Sequence, residues 1–334
     1  MALVLLFASF AVILAGALLF INAVEWAGHK LRMGEGATGS LLAAVGTAMP
    51  ETMIPIVAVI GGAEGSQEVA IGAIIGAPFL LATIAMALVG TSALLFRRRR
   101  VHDVRLNVHV ETLDRDLLFF LVFFALGLGL GLGVPTAVQI PAAVVFVAAY
   151  GTYVRRTLRG GGEIQEAETL APLYMGRTGP DADADPSMKL ILTQFAVGLG
   201  AIVGGAHLFV EELLTVAETL GVEPLVLSLV LAPLATELPE KANSFFWVRQ
   251  GKDSLALGNI TGAMVFQSTL PIAFGLAFTH WDLGSFAIIS GALGLAGGVL
   301  AYWALRLRGR FELLPIVAWA TLFASFIIYV LAAG

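Results

Sequence analysis

Two short stretches of this chain carry the residue types that hold a cation. Gly46-Thr47-Ala48-Met49-Pro50-Glu51 and Ala235-Thr236-Glu237-Leu238-Pro239-Glu240 share one order: a small residue, a threonine, two further residues, then Pro-Glu. Proline has no N–H to donate to the carbonyl four residues earlier. Within a helix, Pro50 therefore frees the carbonyl of Gly46, and Pro239 frees that of Ala235. Thr47 and Thr236 stand one turn before Glu51 and Glu240 and add hydroxyl oxygens. The two glutamates add formal charge. Hard cations take several such oxygens at roughly 2.3–2.6 Å. The expected metal ligands are thus Glu51, Glu240, Thr47, Thr236, the carbonyls of Gly46 and Ala235, and Glu237 as a third carboxylate. Lys241 follows Glu237 at i,i+4, the favourable order for an ion pair; it is a candidate for coupling, the alternative being that the two neutralise each other and only hold structure.

The elements that position these groups follow from composition. Of the 334 residues, 58% are hydrophobic and 13% charged, with a mean hydropathy of +0.90. Soluble domains carry about 25% charged residues. The apolar runs are continuous and not alternating, and a bilayer core needs about 20 such residues per helix. Ten spans are expected, at about 2–27, 37–61, 68–96, 116–133, 136–154, 188–210, 222–248, 254–279, 284–305 and 311–333. The first has no basic residues ahead of it and contains Asn22 and Glu25, so it reads as a helix and not a cleaved leader. The fold class is an all-α membrane protein. Absence of cysteine excludes disulfides, thiolate metal sites and cysteine catalysis.

Basic residues orient the spans. Lys30 and Arg32, then Arg97–Arg100, Arg105 and Arg115, then Arg155, Arg156, Arg159, Arg177 and Lys189, then Arg249 and Lys252, then Arg306, Arg308 and Arg310 all follow odd-numbered spans. The connections after even-numbered spans have none. Positive loops stay cytoplasmic, which puts both termini on the other side. Lys241, inside the seventh span, is the one basic residue that this pattern does not place at a cytoplasmic connection. The Arg97–Arg100 run reads as a topology anchor touching anionic lipid, with no call for nucleic acid. Glu25 is expected to snorkel to water, Glu211 and Glu212 to be solvated, and His207 to be a satisfied core histidine.

The chain divides into a transmembrane repeat at 1–155, a flexible cytoplasmic linker at 156–187 and a second repeat at 188–334. The linker holds Gly160-Gly161-Gly162 and Gly179-Pro180-Asp181, and its Asp181, Asp183 and Asp185 lack a glycine-centred calcium loop. In each half the Thr-x-x-Pro-Glu helix leads through a short acidic turn, at Glu68 or Asp253, to a second glycine motif: Gly72-x-x-x-Gly76-Ala77 or Gly258-x-x-x-Gly262-Ala263. Close glycine pairs let helices approach. Five spans per half invert one repeat relative to the other. Inverted repeats that meet at broken helices near the midplane are a secondary-transporter architecture.

At these residues the sequence resembles the calcium/cation antiporter superfamily, its sodium/calcium exchanger branch in particular. The family's repeats carry Gly-Thr-Ser-Leu-Pro-Glu followed by Gly-Asn-x-x-Gly-Ser-Asn. The resemblance implies that Glu51 and Glu240 are central ion ligands helped by Thr47 and Thr236. It makes Asn259 and Gln267 coupling candidates beside Lys241. The family's serines are Ala48 and Glu237 here. Its Gly-Ser-Asn segments are Gly76-Ala77-Pro78 and Gly262-Ala263-Met264, and the polar residue one turn later is Leu81 in the first repeat. Neutral oxygens that hold sodium are therefore fewer, and titratable groups more numerous. The expected function is antiport of a divalent cation, calcium first, against protons ahead of sodium, with no enzymatic chemistry and no resident cofactor. Its partners are the bilayer and inorganic cations. Alternatives are a cation channel using the same carboxylates, or antiport of Mg2+, Mn2+ or Na+/H+. An intramembrane protease would need paired Asp or His-Glu zinc spacing, which the sequence lacks.

Overall fold

A computed structural model describes residues 1–30, 43–100, 103–108, 110–159, 171–176 and 186–333. For 43–48, 158, 159, 238–240, 242 and 333 it describes the backbone alone. The architecture is helical. Its order is α1 (Ala2–Lys30), α2 (Ala43–Gly61), α3 (Ser66–Leu80), a π-helical segment (Leu81–Ala85), α4 (Met86–Leu95), α5 (Val110–Leu130) and α6 (Thr136–Arg159). The second half contains α7 (Met188–Leu220), α8 (Pro224–Arg249), α9 (Asp253–Gln267), α10 (Leu270–Phe278), α11 (Ser285–Ala301), a π-helical segment (Tyr302–Leu307) and α12 (Leu313–Ala333). The described residues form no strand; one isolated bridge joins Arg105 to Arg310. Among the described residues seven helical passages are long and apolar enough to cross a membrane, and α2 and α8 contain shorter apolar stretches, Met49–Gly61 and Pro224–Glu237. The protein is an integral, multi-pass membrane protein.

Local sequence explains where the site helices begin. Gly221 takes a left-handed conformation (φ 66°), and the N–H of Val222 reaches back to the Ala217 carbonyl at 3.0 Å. That closes α7, as glycine C-caps do. Pro224 then opens α8, where a missing N–H costs nothing. Helix α7 runs ten residues beyond the span expected from apolarity. Its extension is amphipathic and buries Leu213, Val216 and Ala217, so packing continues the helix after the uniformly apolar run stops.

The prolines of the Pro-Glu motifs do not break their helices. Helices α2 and α8 run through Pro50 and Pro239. Each proline removes one backbone hydrogen bond while the path stays helical. The expected midplane breaks in these two helices are therefore corrected: the interruptions lie in the glycine-motif helices that follow. Nine residues after Gly72 the chain turns π-helical at Leu81, just beyond Pro78. Nine residues after Gly258, α9 ends at Gln267, and Thr269 leaves helical geometry (φ −127°, ψ −75°). Pro271 lacks the N–H that would have bonded the Gln267 carbonyl.

The core lies around Phe79, Phe120, Phe124, Trp281, Trp319 and Phe326, all buried. Helix α3 is buried almost throughout and lies on α8 through its glycines. A Cβ on Gly72 would meet the Leu225 carbonyl oxygen at 2.6 Å, and one on Gly76 would collide with that of Leu229. Helices α1 and α7 form a close pair, with Gly198 against the Phe20 backbone.

Part of the expected flexible linker is docked. Asn22 and Trp26 of α1 donate to the Ala171 carbonyl, Trp26 at 2.9 Å. Gln194 of α7 accepts from Met175 N at 2.7 Å, and Leu173 is buried against Ala23, Trp26 and Ile191. Residues 160–170 and 177–185, including the three linker aspartates, lie outside the described residues. The Arg97–Arg100 run also divides. Arg97–Arg99 are exposed, but Arg100 is buried and forks onto Asp253 at 2.8 and 2.9 Å, with a further bond to the Val248 carbonyl. It ties the end of the first glycine-motif passage to the start of the second and does not face lipid. His207 is corrected too. It is 61% exposed and lies 3.2 Å from Glu211, not in the core.

Candidate cation-binding site

Helix α8 presents its polar residues at helical spacing. Glu237, Lys241 and Ser244 stand at i, i+4 and i+7, on one face. Glu237 and Lys241 are each 1% exposed, and their charged atoms are 3.3 Å apart. Glu237 Oε1 accepts a hydrogen bond from Gln267 Nε2 at 3.1 Å. Its Oε2 accepts none among the described residues and faces the lysine ammonium by charge alone. Asn259, half-buried on α9, donates to Ser244 Oγ at 3.2 Å. The sequence reading named four of these five residues; Ser244 was missed. Its position three residues after Lys241 could have flagged it, but a lone serine in an apolar helix ordinarily bonds its own backbone.

Thr236 is buried, and its hydroxyl donates to the Ala232 carbonyl at 3.1 Å. That bond uses the proton and leaves oxygen lone pairs. Glu51 is buried on α2 at 7% exposure, and α2 touches α8. The side chains of Gly46, Thr47 and Glu240 lie outside the described residues, although α2 and α8 carry their backbones. Pro50 and Pro239 leave the carbonyls of Gly46 and Ala235 without their usual intrahelical donors. The structure therefore brings together Glu237, Lys241 and Gln267 as one network and Asn259 with Ser244 as an adjoining pair. It buries Glu51 and Thr236 on the two Pro-Glu helices. Among the described residues no three His, Asp or Glu side chains cluster to hold a metal.

The described groups of this arrangement are a charge-paired carboxylate, an amide and a hydroxyl–amide pair. A buried carboxylate costs several kcal/mol unless partnered. Glu237 is partnered twice, by a tethered ammonium and by an amide. The second half is the richer one. At the position of Gln267 the first half has Leu81, and at that of Asn259 it has Ala73.

The sequence profile described as sodium/calcium exchanger protein matches residues 1–158 and 190–332. A putative antiporter CaxA of Alkalimonas amylolytica is 22% identical over 320 residues, spanning 93% of this chain and 91% of that protein. The sodium/calcium exchanger MaX1 of Methanosarcina acetivorans is 43% identical over 65 residues, 20% of this chain and 19% of that one. Among solved structures, the H+/Ca2+ exchanger CAX aligns with a TM-score of 0.73 at 20% identity, covering 99% of this chain and 82% of that one. The sodium-calcium exchanger NCX_Mj aligns with a TM-score of 0.58 at 18% identity, covering 98% of each. With a profile match across both halves and a shared fold, this chain belongs to the sodium/calcium exchanger protein family, which consists of membrane transporters and not enzymes.

Proposed function

We propose that the protein exchanges a divalent cation, calcium first, for protons through a site between α2 and α8. The observation that carries this reading is the buried Glu237–Lys241–Gln267 network one residue from Thr236 and on the same helix as Glu240. Calcium is named in the descriptions of both CAX and MaX1. Sodium needs several neutral oxygens, and Ala48, Ala77, Leu81 and Ala263 supply none from their side chains. Carboxylates exchange a cation for protons without further ligands.

Adding α2, α5 and α8 to the seven long apolar passages makes ten spans, five in each half, with α2–α3 and α8–α9 as inverted counterparts. The matched interruptions nine residues after Gly72 and Gly258 support the repeat. Gly72 and Gly76 are sealed against α8 at Leu225 and Leu229.

Two measurements test the reading. In this cysteine-free chain, Arg156→Cys should react with an impermeant maleimide only from the cytoplasmic side, in right-side-out against inverted vesicles. Labelling from outside would overturn the topology. In sealed proteoliposomes, calcium uptake should require a counter-ion gradient. Conduction without one would favour a channel and contradict antiport.

A further inference from the structure

Helix α9 is gripped on two sides. Toward α8, Asn259 and Gln267 bond Ser244 and Glu237. Thr261 lies about 160° around the helix from Asn259 and about 120° from Gln267 at 100° per residue. There its hydroxyl donates to Asp116 Oδ2 at 3.0 Å. Asp116 belongs to α5 and is 2% exposed. Its other oxygen accepts from Tyr153 Oη of α6 at 2.8 Å and from Arg115 Nη2 at 3.0 Å and Nε at 3.1 Å. The Arg115 guanidinium also covers the Tyr153 ring at 4.9 Å. Thus one buried carboxylate joins α5, α6 and the back of α9. The first repeat has no such contact, because Ile75 occupies the position of Thr261. Of the two glycine-motif helices, α9, which carries Asn259 and Gln267, has the hydroxyl that makes the contact. Packing alone does not require it: Ile75 shows that an apolar side chain fills the equivalent place.

We propose that Asp116, through Thr261, is a positioning residue for cation exchange. It fixes the rotation of α9 so that Asn259 and Gln267 meet Ser244 and Glu237. The inference rests on the reading of α8 and α9 as part of the transport site. Asp116 and Thr261 themselves touch neither cation nor ligand.

The test pairs calcium uptake with a reporter of α9 that does not depend on transport. Thr261→Val keeps shape and loses the donor, and Thr261→Ser keeps the donor. Thr261→Val and Asp116→Asn should each raise the apparent KM for calcium about tenfold, as expected for loss of one charge-assisted hydrogen bond, with maximal rate little changed. Thr261→Ser should restore the wild-type KM. In a Gly262→Cys background, Thr261→Val should change the rate of maleimide labelling and Thr261→Ser should not. Asp116→Asn combined with Gln267→Leu should be less than additive in KM. An unchanged KM and unchanged labelling in Thr261→Val would overturn the proposal. So would a fall in maximal rate alone, matched by loss of folded protein and not rescued by Thr261→Ser. If the wild-type protein shows no uptake but labelling still responds to Thr261→Val, the transport reading fails and the brace on α9 stands.

Discussion

Glu51→Gln and Glu240→Gln should each reduce divalent-cation uptake at least about a hundredfold, because losing roughly 3 kcal/mol of charge interaction with the ion corresponds to two decades. Glutamine preserves shape and one oxygen, so the change isolates the charge. Both variants should reach the membrane at wild-type levels, since glutamine keeps the size of the side chain and its hydrogen-bonding capacity. Glu51 is buried on α2, and Glu240 stands at the matching place in α8. The expected losses are equal because the repeats contribute one carboxylate each. Initial rates of radiolabelled calcium uptake, normalised to reconstituted protein, check the prediction. Well-folded variants with near-normal uptake would remove these residues from the site.

Removing one member of the Glu237–Lys241 pair should have a different signature. Both groups are buried, 3.3 Å apart. Lys241→Met leaves the Glu237 charge without that ammonium, and breaking a buried pair from one side costs about 3–5 kcal/mol. Lys241→Met and Glu237→Gln alone should therefore lower thermal stability in detergent. The double variant should recover most of the loss, since it removes both charges together. The pH dependence of transport should change in all three, because the network supplies the site's extra titratable groups. Stability measured by size-exclusion after graded heating checks this. If the double variant is as unstable as the sum of the singles, the two groups do not compensate each other.

The sequence showed these groups because they repeat. Thr-x-x-Pro-Glu occurs twice, each time followed by Gly-x-x-x-Gly-Ala, and the i,i+4 spacing of Glu237 and Lys241 is local. What local spacing cannot show is a partner far along the chain. Arg100 reads as one more arginine in a basic run, yet it meets Asp253 across 153 residues. Asp116 reads as the polar edge of a span, yet it reaches Thr261 across 145. The linker offers a related case. Its composition is that of a flexible tether, but Leu173 finds an apolar site and Asn22 and Gln194 satisfy the neighbouring backbone. Proline misled in the opposite direction. Pro50 and Pro239 free a carbonyl without bending α2 or α8 out of helical form, while Pro78 and Pro271 accompany the actual interruptions. His207 failed for a reason specific to lipid: apolar neighbours in a spanning helix do not imply a buried face.

The most direct test of cation–proton antiport is calcium uptake into sodium-free proteoliposomes driven by an imposed pH gradient alone, acidic inside. Wild-type protein should accumulate calcium, release protons as it does so, and stop when the gradient is collapsed, while Glu51→Gln should remain at the level of empty liposomes. Uptake that ignores the pH gradient and appears only when sodium is loaded inside would contradict proton coupling. It would mean that main-chain carbonyls supply the sodium ligands that Ala48, Ala77, Leu81 and Ala263 do not.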